Sequence, residues 1–378
     1  MEDNIYLEIN FDFLKHNLDK LKNEMENQAI MAVLKGNAYG HGMIAVAKYI
    51  EDYVDYFGVG LQDEAVKLRS GCPEKPILIM SPYFDPDTVL DFNLTPCIEN
   101  ITDLKKLSER AAQKGKRAKF HLKINTGMNR FGISINEIPE FIGILSNLGN
   151  ISLEGIFSHF AITYDRNPNF FMNQLNSFKK AISLFQDSGV DAPLIHMASS
   201  VPAIDVPESR FNMVRLGNAL FGLCSPKKDL GLKTIAKLKG KVIDIKHLKK
   251  GEYIGYGASY RTKKDMRLGI IPIGFTNGFQ VMREIGDYTL KEALISMLKV
   301  LYRYKIPRDM VYFGQKPLKI IGKGSMQFTV VDITDENSVN IGSELIFRAP
   351  THFIPLNVNR RYIQKEKVFD PGVETLSR

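Results

Sequence analysis

Apolar residues in this chain follow two different rhythms. Strand-like apolar runs recur near 31–34, 56–59, 76–80, 95–98, 119–124, 152–157, 194–197 and 213–216. Between most of them lie helical patterns, such as 101–113, 136–148 and 170–187. A short strand at 4–10 and a helix at 11–25 precede the series, and the links near Phe84 and Pro202 are short. Eight strands alternating with helices over about 220 residues predict a closed parallel (β/α)8 barrel. A doubly wound open sheet is the alternative. No Gly-x-Gly-x-x-Gly follows the first strand, which counts against a dinucleotide site.

Past Leu232 the rhythm becomes short alternating segments, at 236–244, 267–273, 318–321, 329–333 and 344–347. Glycines at 251, 255, 257, 274, 278 and 342 punctuate them and predict a mostly antiparallel β domain. Within it Leu290, Leu294, Met297, Leu298 and Leu301 keep helical spacing, so 282–304 reads as an inserted helix. The expected domains are therefore 1–233 and 234–378.

A chain of 378 residues suits two such domains, and 44% hydrophobic with 24% charged residues describes a soluble globular protein. No run approaches the ~18 apolar residues of a membrane span. Met1-Glu-Asp-Asn4 is acidic and polar, unlike a secretory signal, so the expected compartment is the cytoplasm. Cys72, Cys97 and Cys224 lie far apart, with neither disulfide nor metal-ligand spacing, so no metal is expected. The net charge of +8 is dispersed. Its densest stretch, 237–250, alternates Lys237, Lys239 and Lys241 with apolar residues, as on the solvent face of a strand. Without interleaved aromatics this is no nucleic-acid surface; the basic balance suits an anionic small molecule.

Chemistry in such a barrel sits at the C-terminal ends of the strands. The first strand ends in Ala32-Val-Leu-Lys-Gly-Asn-Ala-Tyr-Gly-His-Gly42, placing Lys35 and Tyr39 at the mouth. A lysine there is either an exposed corner residue or an amine poised to form a Schiff base. The fifth strand runs from Lys123 to Arg130, the sixth into Ser158-His159 and the seventh into His196-Met-Ala-Ser-Ser200. The eighth brings Arg215, Gly217 and Asn218. Loops after strands seven and eight often hold phosphate in this fold. Ser200 offers a hydroxyl there, and Gly217 with Asn218 offers backbone N–H groups. A phosphate site at one end and Lys35 at the other describe pyridoxal 5′-phosphate. His159 would pack on its ring, and Arg130 would donate to its hydroxyl.

These residues resemble the fold-type III pyridoxal-phosphate enzymes, and within them the alanine racemase family. The resemblance rests on the Lys35 motif and on Lys123-Ile-Asn-Thr-Gly-Met-Asn-Arg-Phe-Gly132, Gly155-Ile-Phe-Ser-His-Phe-Ala161 and Val214-Arg-Leu-Gly217. Gly255-Tyr-Gly-Ala258, Ile271-Pro-Ile-Gly-Phe-Thr-Asn-Gly278 and Gly322-Lys-Gly-Ser-Met326 continue it through the second domain. It implies a head-to-tail homodimer whose active site is shared between subunits. Lys35 would be the Schiff-base lysine and the base on one face of the substrate Cα. Tyr256 from the other subunit would be the base on the opposite face. Arg215 would meet the pyridine nitrogen and keep it unprotonated, which weakens the electron sink and suppresses transamination. Tyr39, Ser200, Gly217 and Asn218 would hold phosphate. Lys123 matches a lysine carbamylated in some relatives, where it positions the arginine here numbered 130. Arg130 and the Met326 backbone would bind the substrate.

Departures from the family pattern gather around substrate access. Gln327 stands where an Asp is usual, Phe275 and Asn277 stand for Tyr and Asp, and Asn125 replaces an acid. Pro355-Leu-Asn-Val-Asn-Arg360 lacks the usual tyrosine. The expected activity is thus the interconversion of L- and D-alanine. The alternatives are racemisation of serine or a larger amino acid, and a non-catalytic cofactor-binding or regulatory role. A decarboxylase of the same fold type would bring a cysteine to the second domain, and Cys224 precedes it.

Overall fold

Strand β1 (Ile5–Asn10) runs directly into helix α1 (Phe11–Met25), because Asn10 caps the helix: its side-chain oxygen accepts the Phe13 N–H at 2.9 Å. Phe11, Leu14, Leu18, Leu21 and Met25 are buried along one face of α1. The computed structural model describes residues 3–71, 74–82, 84–281, 290, 293–298 and 310–369. They form two units, one spanning Asn10–Ile235 and the other Ala236–Phe369 together with the opening strand as far as Ile9.

In the first unit each apolar run is a strand: β2 (Ala29–Val33), β3 (Tyr56–Val59), β4 (Ile77–Ile79), β5 (Thr95–Ile98), β6 (Ala118–Lys123), β7 (Ile151–Phe157), β8 (Leu194–His196) and β9 (Met213–Leu216). Every ladder between them is parallel, in the order β8-β7-β6-β5-β4-β3-β2-β9. The Ser199–Arg215 bridge, with the Arg215 N–H on Ala198 O at 3.0 Å, brings β8 to β9 and nearly closes the barrel. Met31, Tyr56, Leu78 and Met213 form one buried cluster on four of these strands. One irregularity matters later. Phe120 stands opposite Leu153 but His121 opposite Gly155, so β7 carries one extra residue, Glu154.

Between the strands lie α2 (Lys35–Tyr39), α3 (Met43–Ile50), α4 (Gln62–Gly71), α5 (Pro86–Asp91), α6 (Ile101–Gln113), α7 (Ile138–Leu145), α8 (Pro168–Asp187) and α9 (Ser200–Asp205). The expected helix at 136–148 divides into a 3-10 turn, Ile135–Glu137, and α7, because Pro139 sits in the first turn of α7. Asn100 caps α6 and Asn167 caps α8. Helix α8 buries Phe171, Leu175, Phe178, Ile182 and Phe185, each worth about 1.5–3 kcal/mol of stabilisation.

The second unit is antiparallel. Its larger sheet has the order β16-β15-β18-β10-β1-β19-β20, built from β10 (Ala236–Lys241), β15 (Val311–Phe313), β16 (Lys316–Leu318), β18 (Glu344–Phe347), β19 (Asn359–Gln364) and β20 (Lys367–Phe369) around β1. A smaller sheet joins β11 (Asp244–Leu248), β14 (Met266–Ile271) and β17 (Thr329–Asp332). The hairpin β12 (Tyr253–Ile254) and β13 (Tyr260–Arg261) frames the turn that carries Tyr256. The segment expected as one strand at 236–244 is in fact two, β10 and the start of β11, in different sheets. Val242 N–H bonds Ser343 O and Ile243 N–H bonds Ile270 O, so the backbone changes partner sheet at that point. Most of the expected inserted helix at 282–304 lies outside the described residues; residues 293–298 are helical. No helix among the described residues is long and apolar enough to cross a membrane.

Candidate active site

Past β2 the chain does something L-residues avoid. Gly36, Asn37, Ala38 and Tyr39 all have positive φ, between 54° and 62°, and form one left-handed turn. Glycine and asparagine tolerate this region; Ala38 and Tyr39 each carry about 1–2 kcal/mol of steric cost. Neighbours hold the turn. Gly36 N–H donates to Glu64 Oε1 at 2.6 Å and Met43 N–H to Asn37 Oδ1 at 2.8 Å. His41 Nδ1 lies 2.7 Å from Ala38 O while its ring stacks on Phe221 at 4.4 Å. The result leaves Lys35 at the barrel mouth and turns Tyr39 toward β9.

Tyr39 meets Gly217 there. A Cβ at Gly217 would lie 2.5 Å from Tyr39 Oη, so only glycine fits. Ser200 Oγ accepts the N–H groups of Gly217 and Ala219, both at 3.1 Å. Its acceptor capacity is thereby used, and its own O–H remains as a donor. Burial pushes the Tyr39 hydroxyl up to about 12, so it too keeps its proton. Neither Ser200 O–H nor the Asn218 N–H has an acceptor among the described residues. Three donors thus converge beside a bare backbone.

Arg215 is buried with no carboxylate in ion-pair reach among the described residues. Its Nη1 bonds His196 O at 3.0 Å and His196 Nδ1 at 2.8 Å. Its Nη2 bonds Ser158 O at 2.8 Å, Met197 O at 2.9 Å and His159 Nδ1 at 3.1 Å. The Nε–H alone lacks a partner among the described residues. Burial draws the guanidinium down to about 10, still charged at neutral pH. Because a guanidinium only donates, His159 Nδ1 must accept, which puts the ring proton on Nε2. Burial first, then Arg215, Lys123, Lys35 and Arg130, hold that imidazole down to about 3, so it stays neutral.

Arg130 is carried by a loop that Asn125 organises. Asn125 Oδ1 accepts the N–H groups of Gly127 and Asn129, both at 3.1 Å, and its Nδ2 donates to Asn129 Oδ1. The amide thus does the turn-forming work of a carboxylate, without adding charge. Gly132 N–H donates to Glu99 Oε2 at 2.7 Å, and a Cβ on Gly132 would meet the backbone at 2.8 Å. Lys123 is buried, 5.1 Å from the Phe131 ring centroid and 5.2 Å from that of Phe157. Burial, with Arg215 and Arg130 adding to it, holds its ammonium below the ordinary range. Burial, Arg130 and Arg215 do the same to Lys35.

Tyr256 and Met326 belong to the second unit. Tyr256 lies in a 3-10 turn between Gly255 (φ 80°) and Gly257 (φ 66°) and is 76% exposed. Met326 is 68% exposed, and its carbonyl accepts Thr276 N–H at 3.0 Å and Thr276 Oγ1–H at 2.7 Å. Its own N–H has no acceptor among the described residues. Phe275 is exposed, and Asn277 Oδ1 accepts Gly274 N–H at 3.0 Å, so the asparagine closes that turn. Leu356 is exposed where the family pattern has its tyrosine nearby, and Arg360 binds the carbonyls of Ile354, Pro355 and Val358 around it.

The barrel therefore brings Lys35, Tyr39, Arg130, His159, Ser200, Arg215, Gly217 and Asn218 to its C-terminal rim. What sequence reading missed lies beneath them: His121 and Glu154, joined to Arg215 through His196. The signal was present, since Lys119, His121 and Lys123 share one phase of β6 and alternate with apolar residues, yet His121 and Lys123 are buried. The rim fits pyridoxal phosphate. Spare donors at Ser200, Tyr39 and Asn218 suit the phosphate, the spare Arg215 Nε–H suits the ring nitrogen, and Lys35 suits the aldehyde. Among the described residues no three His, Cys, Asp or Glu side chains gather as a metal site.

Comparison with known proteins agrees. Residues 9–225 match the family described as alanine racemase, N-terminal domain, and 235–357 match its C-terminal domain. The alanine racemase of Clostridium tetani is 30% identical over 90% of this chain and 85% of its own length. Alanine racemase 1 of Caldanaerobacter subterraneus is 32% identical over 90% of this chain and 84% of its own. The solved alanine racemase of Clostridium difficile superposes with a TM-score of 0.85 over 98% of both chains, at 26% identity. Since both domain families match in order and together span most of the sequence, the chain belongs to the alanine racemase family.

Proposed function

We propose that this protein is a pyridoxal-phosphate-dependent racemase that interconverts L- and D-alanine, working as a homodimer. One observation carries the reading: on the barrel rim, the donors of Tyr39, Ser200, Asn218 and Arg215 Nε that have no partner among the described residues match the cofactor's phosphate and ring nitrogen. When bound, pyridoxal phosphate supplies an electron-withdrawing system that acidifies the Cα–H of an attached amino acid.

The chain's own residues do the rest. Tyr39, Ser200, Gly217 and Asn218 hold phosphate, and Arg215 donates its Nε–H to the ring nitrogen. Arg215 yields no proton to that nitrogen, so the electron sink stays weak and the substrate Cα is the place to which a proton returns. His159 covers the ring as a neutral imidazole. Arg130 and the Met326 N–H orient the substrate. Lys35, its amine held below the ordinary lysine range, binds the aldehyde and moves a proton on one face of Cα. Tyr256 from a second copy of the chain moves a proton on the other face. Its exposure of 76% in a single chain agrees with a side chain awaiting a partner.

The exposed Phe275, Met326 and Leu356 favour a second reading, in which the same chemistry accepts serine or a larger amino acid. Exchange of the α-proton with deuterated water, screened across L-amino acids, separates the readings. Exchange with alanine supports the first, and exchange only with other amino acids supports the second. Exchange with none, by a protein that still holds the cofactor, leaves a binding role. A protein that stays colourless on reconstitution, with nothing fixed to Lys35 by borohydride, excludes the cofactor.

A further inference from the structure

We propose that Glu154 is a positioning residue for this site, its carboxylate facing the far end of a directed hydrogen-bond chain that runs from Arg215 through His196 to His121. The proposal rests on the reading of Arg215 given above, and it concerns atoms that touch neither substrate nor cofactor.

The direction of the chain follows from its first donor. Arg215 Nη1 lies 2.8 Å from His196 Nδ1, and a guanidinium has only protons to offer. His196 Nδ1 therefore accepts, and its ring proton sits on Nε2. That Nε2 lies 2.9 Å from His121 Nδ1, which must then accept in turn. The His121 proton is left on Nε2, facing Glu154 Oε2 at 3.5 Å without closing a hydrogen bond. One arginine thus dictates the tautomer of each imidazole behind it, and a carboxylate, which can only accept, faces the end of the chain. Glu154 also takes Tyr56 Oη–H at 2.8 Å and Lys119 Nζ at 2.7 Å.

The backbone is shaped for this. Glu154 is the extra residue of β7, and bulges characteristically re-aim a side chain beside a functional site. The next residue is Gly155, where a Cβ would lie 2.7 Å from the His121 ring. His121 and His196 are fully buried, and burial keeps both imidazoles below their ordinary range and neutral. The titratable groups facing His121 are Glu154, His196, Arg215, Lys119 and Tyr56; only Glu154 is a carboxylate. Burial pushes Glu154 up, but the nearby His121 with the bonds from Lys119 and Tyr56 outweighs it and brings the carboxyl to about 2.

The consequence lies at Arg215. A buried cation needs a counter-charge, but a carboxylate bound directly to the guanidinium would weaken the donor it presents to the ring nitrogen. Two neutral imidazoles set the balancing charge at a distance. The guanidinium stays oriented, and its Nε–H stays strong.

Neutron diffraction of deuterium-exchanged crystals of the loaded enzyme tests the arrangement directly. The expected result is deuterium on Nε2, and none on Nδ1, of both His196 and His121. Deuterium on Nδ1 of either ring overturns the proposal, whether or not the protein racemises alanine. In Glu154→Gln the negative charge is lost while Arg215 still dictates both imidazole tautomers, since the amide oxygen can accept where the carboxylate did. Turnover kcat should then fall about 10- to 100-fold, the range over which outer hydrogen-bond partners act, with KM nearly unchanged. Glu154→Asp should recover part of the loss. Lys119→Ala, which removes only an exposed partner of the same carboxylate, should leave kcat as it was. A Glu154→Gln protein that loses stability but keeps full kcat shows a purely structural role and overturns the proposal.

Discussion

At the residue scale, the site is governed by a cluster of cations. Lys35, Lys123, Arg130 and Arg215 act on one another, and the first two ammoniums are held below their ordinary range. Lys35 thus reaches its neutral, nucleophilic form at lower pH than a free lysine. Arg130→Met removes one repelling charge, so the pH at which Lys35 takes up the cofactor should move upward; a profile that stays in place excludes the coupling. Lys123, buried and with its ammonium held below the ordinary range, has the character of an amine that captures carbon dioxide. In protein equilibrated with 13C-bicarbonate, a carbamate carbonyl resonance should appear and be absent in Lys123→Ala. Gly217→Ala drives a Cβ against Tyr39 Oη at 2.5 Å. Overpacking of this kind costs about 1–3 kcal/mol, here read as faster loss of cofactor. Glu154 carries a stability prediction of its own. Its carboxyl falls from 4.5 to about 2 on folding, so its contribution is complete above the unfolded value and fades as pH drops toward 2. Allowing for its partial exposure, Glu154→Gln should cost about 2 kcal/mol near neutrality in urea titrations, with the deficit shrinking below pH ~5. Arg130, Arg215 and Lys35 were legible in the sequence as polar residues ending apolar runs. The lowered range of Lys35 was not, because it depends on burial and on Arg130 and Arg215, which lie far away in sequence.

At the element scale, the left-handed turn after β2 decides where two functional side chains go. Its sequence half-announces it: Gly36 and Asn37 are residues that tolerate positive φ, whereas Ala38 and Tyr39 are not. Gly36→Ala meets no atom within 4 Å, so its cost is conformational alone, about 1 kcal/mol. Asn37→Ala loses both a tolerant residue and the bond to Met43 N–H at 2.8 Å, and should cost more. Thermal unfolding of the two variants checks that order. The barrel strands were readable because each is an apolar run of its own. The 236–244 segment misled because apolar alternation continues unbroken while the hydrogen-bond partners change, and partners are absent from a one-dimensional pattern. The same holds for the bulge at Glu154, which exists only relative to β6.

At the scale of the whole molecule, the proposed chemistry divides between a barrel rim that would hold the cofactor and a second unit in which Tyr256 and Met326 are exposed. If the proposed active site is shared between two copies, Lys35→Ala and Tyr256→Phe proteins should each be inactive as racemases. Mixing them under conditions that exchange subunits should restore activity, since one mixed site carries Lys35 and Tyr256 together. Absence of restoration would place both residues on one chain. Tyr256→Phe alone should keep the cofactor colour while losing α-proton exchange from one enantiomer. The sequence by itself determined the order of elements, the barrel and β-domain classes, and which side chains stand at strand ends. Those follow from local apolar periodicity and from residue chemistry carried along the chain. Tertiary structure alone decided that β1, at the start of the chain, completes a sheet with β10 and β19. It alone decided that Arg215, His196 and His121 form one line of hydrogen bonds with Glu154 facing its end. Both depend on pairing between residues far apart in sequence, and spacing along the chain carries no record of such pairing.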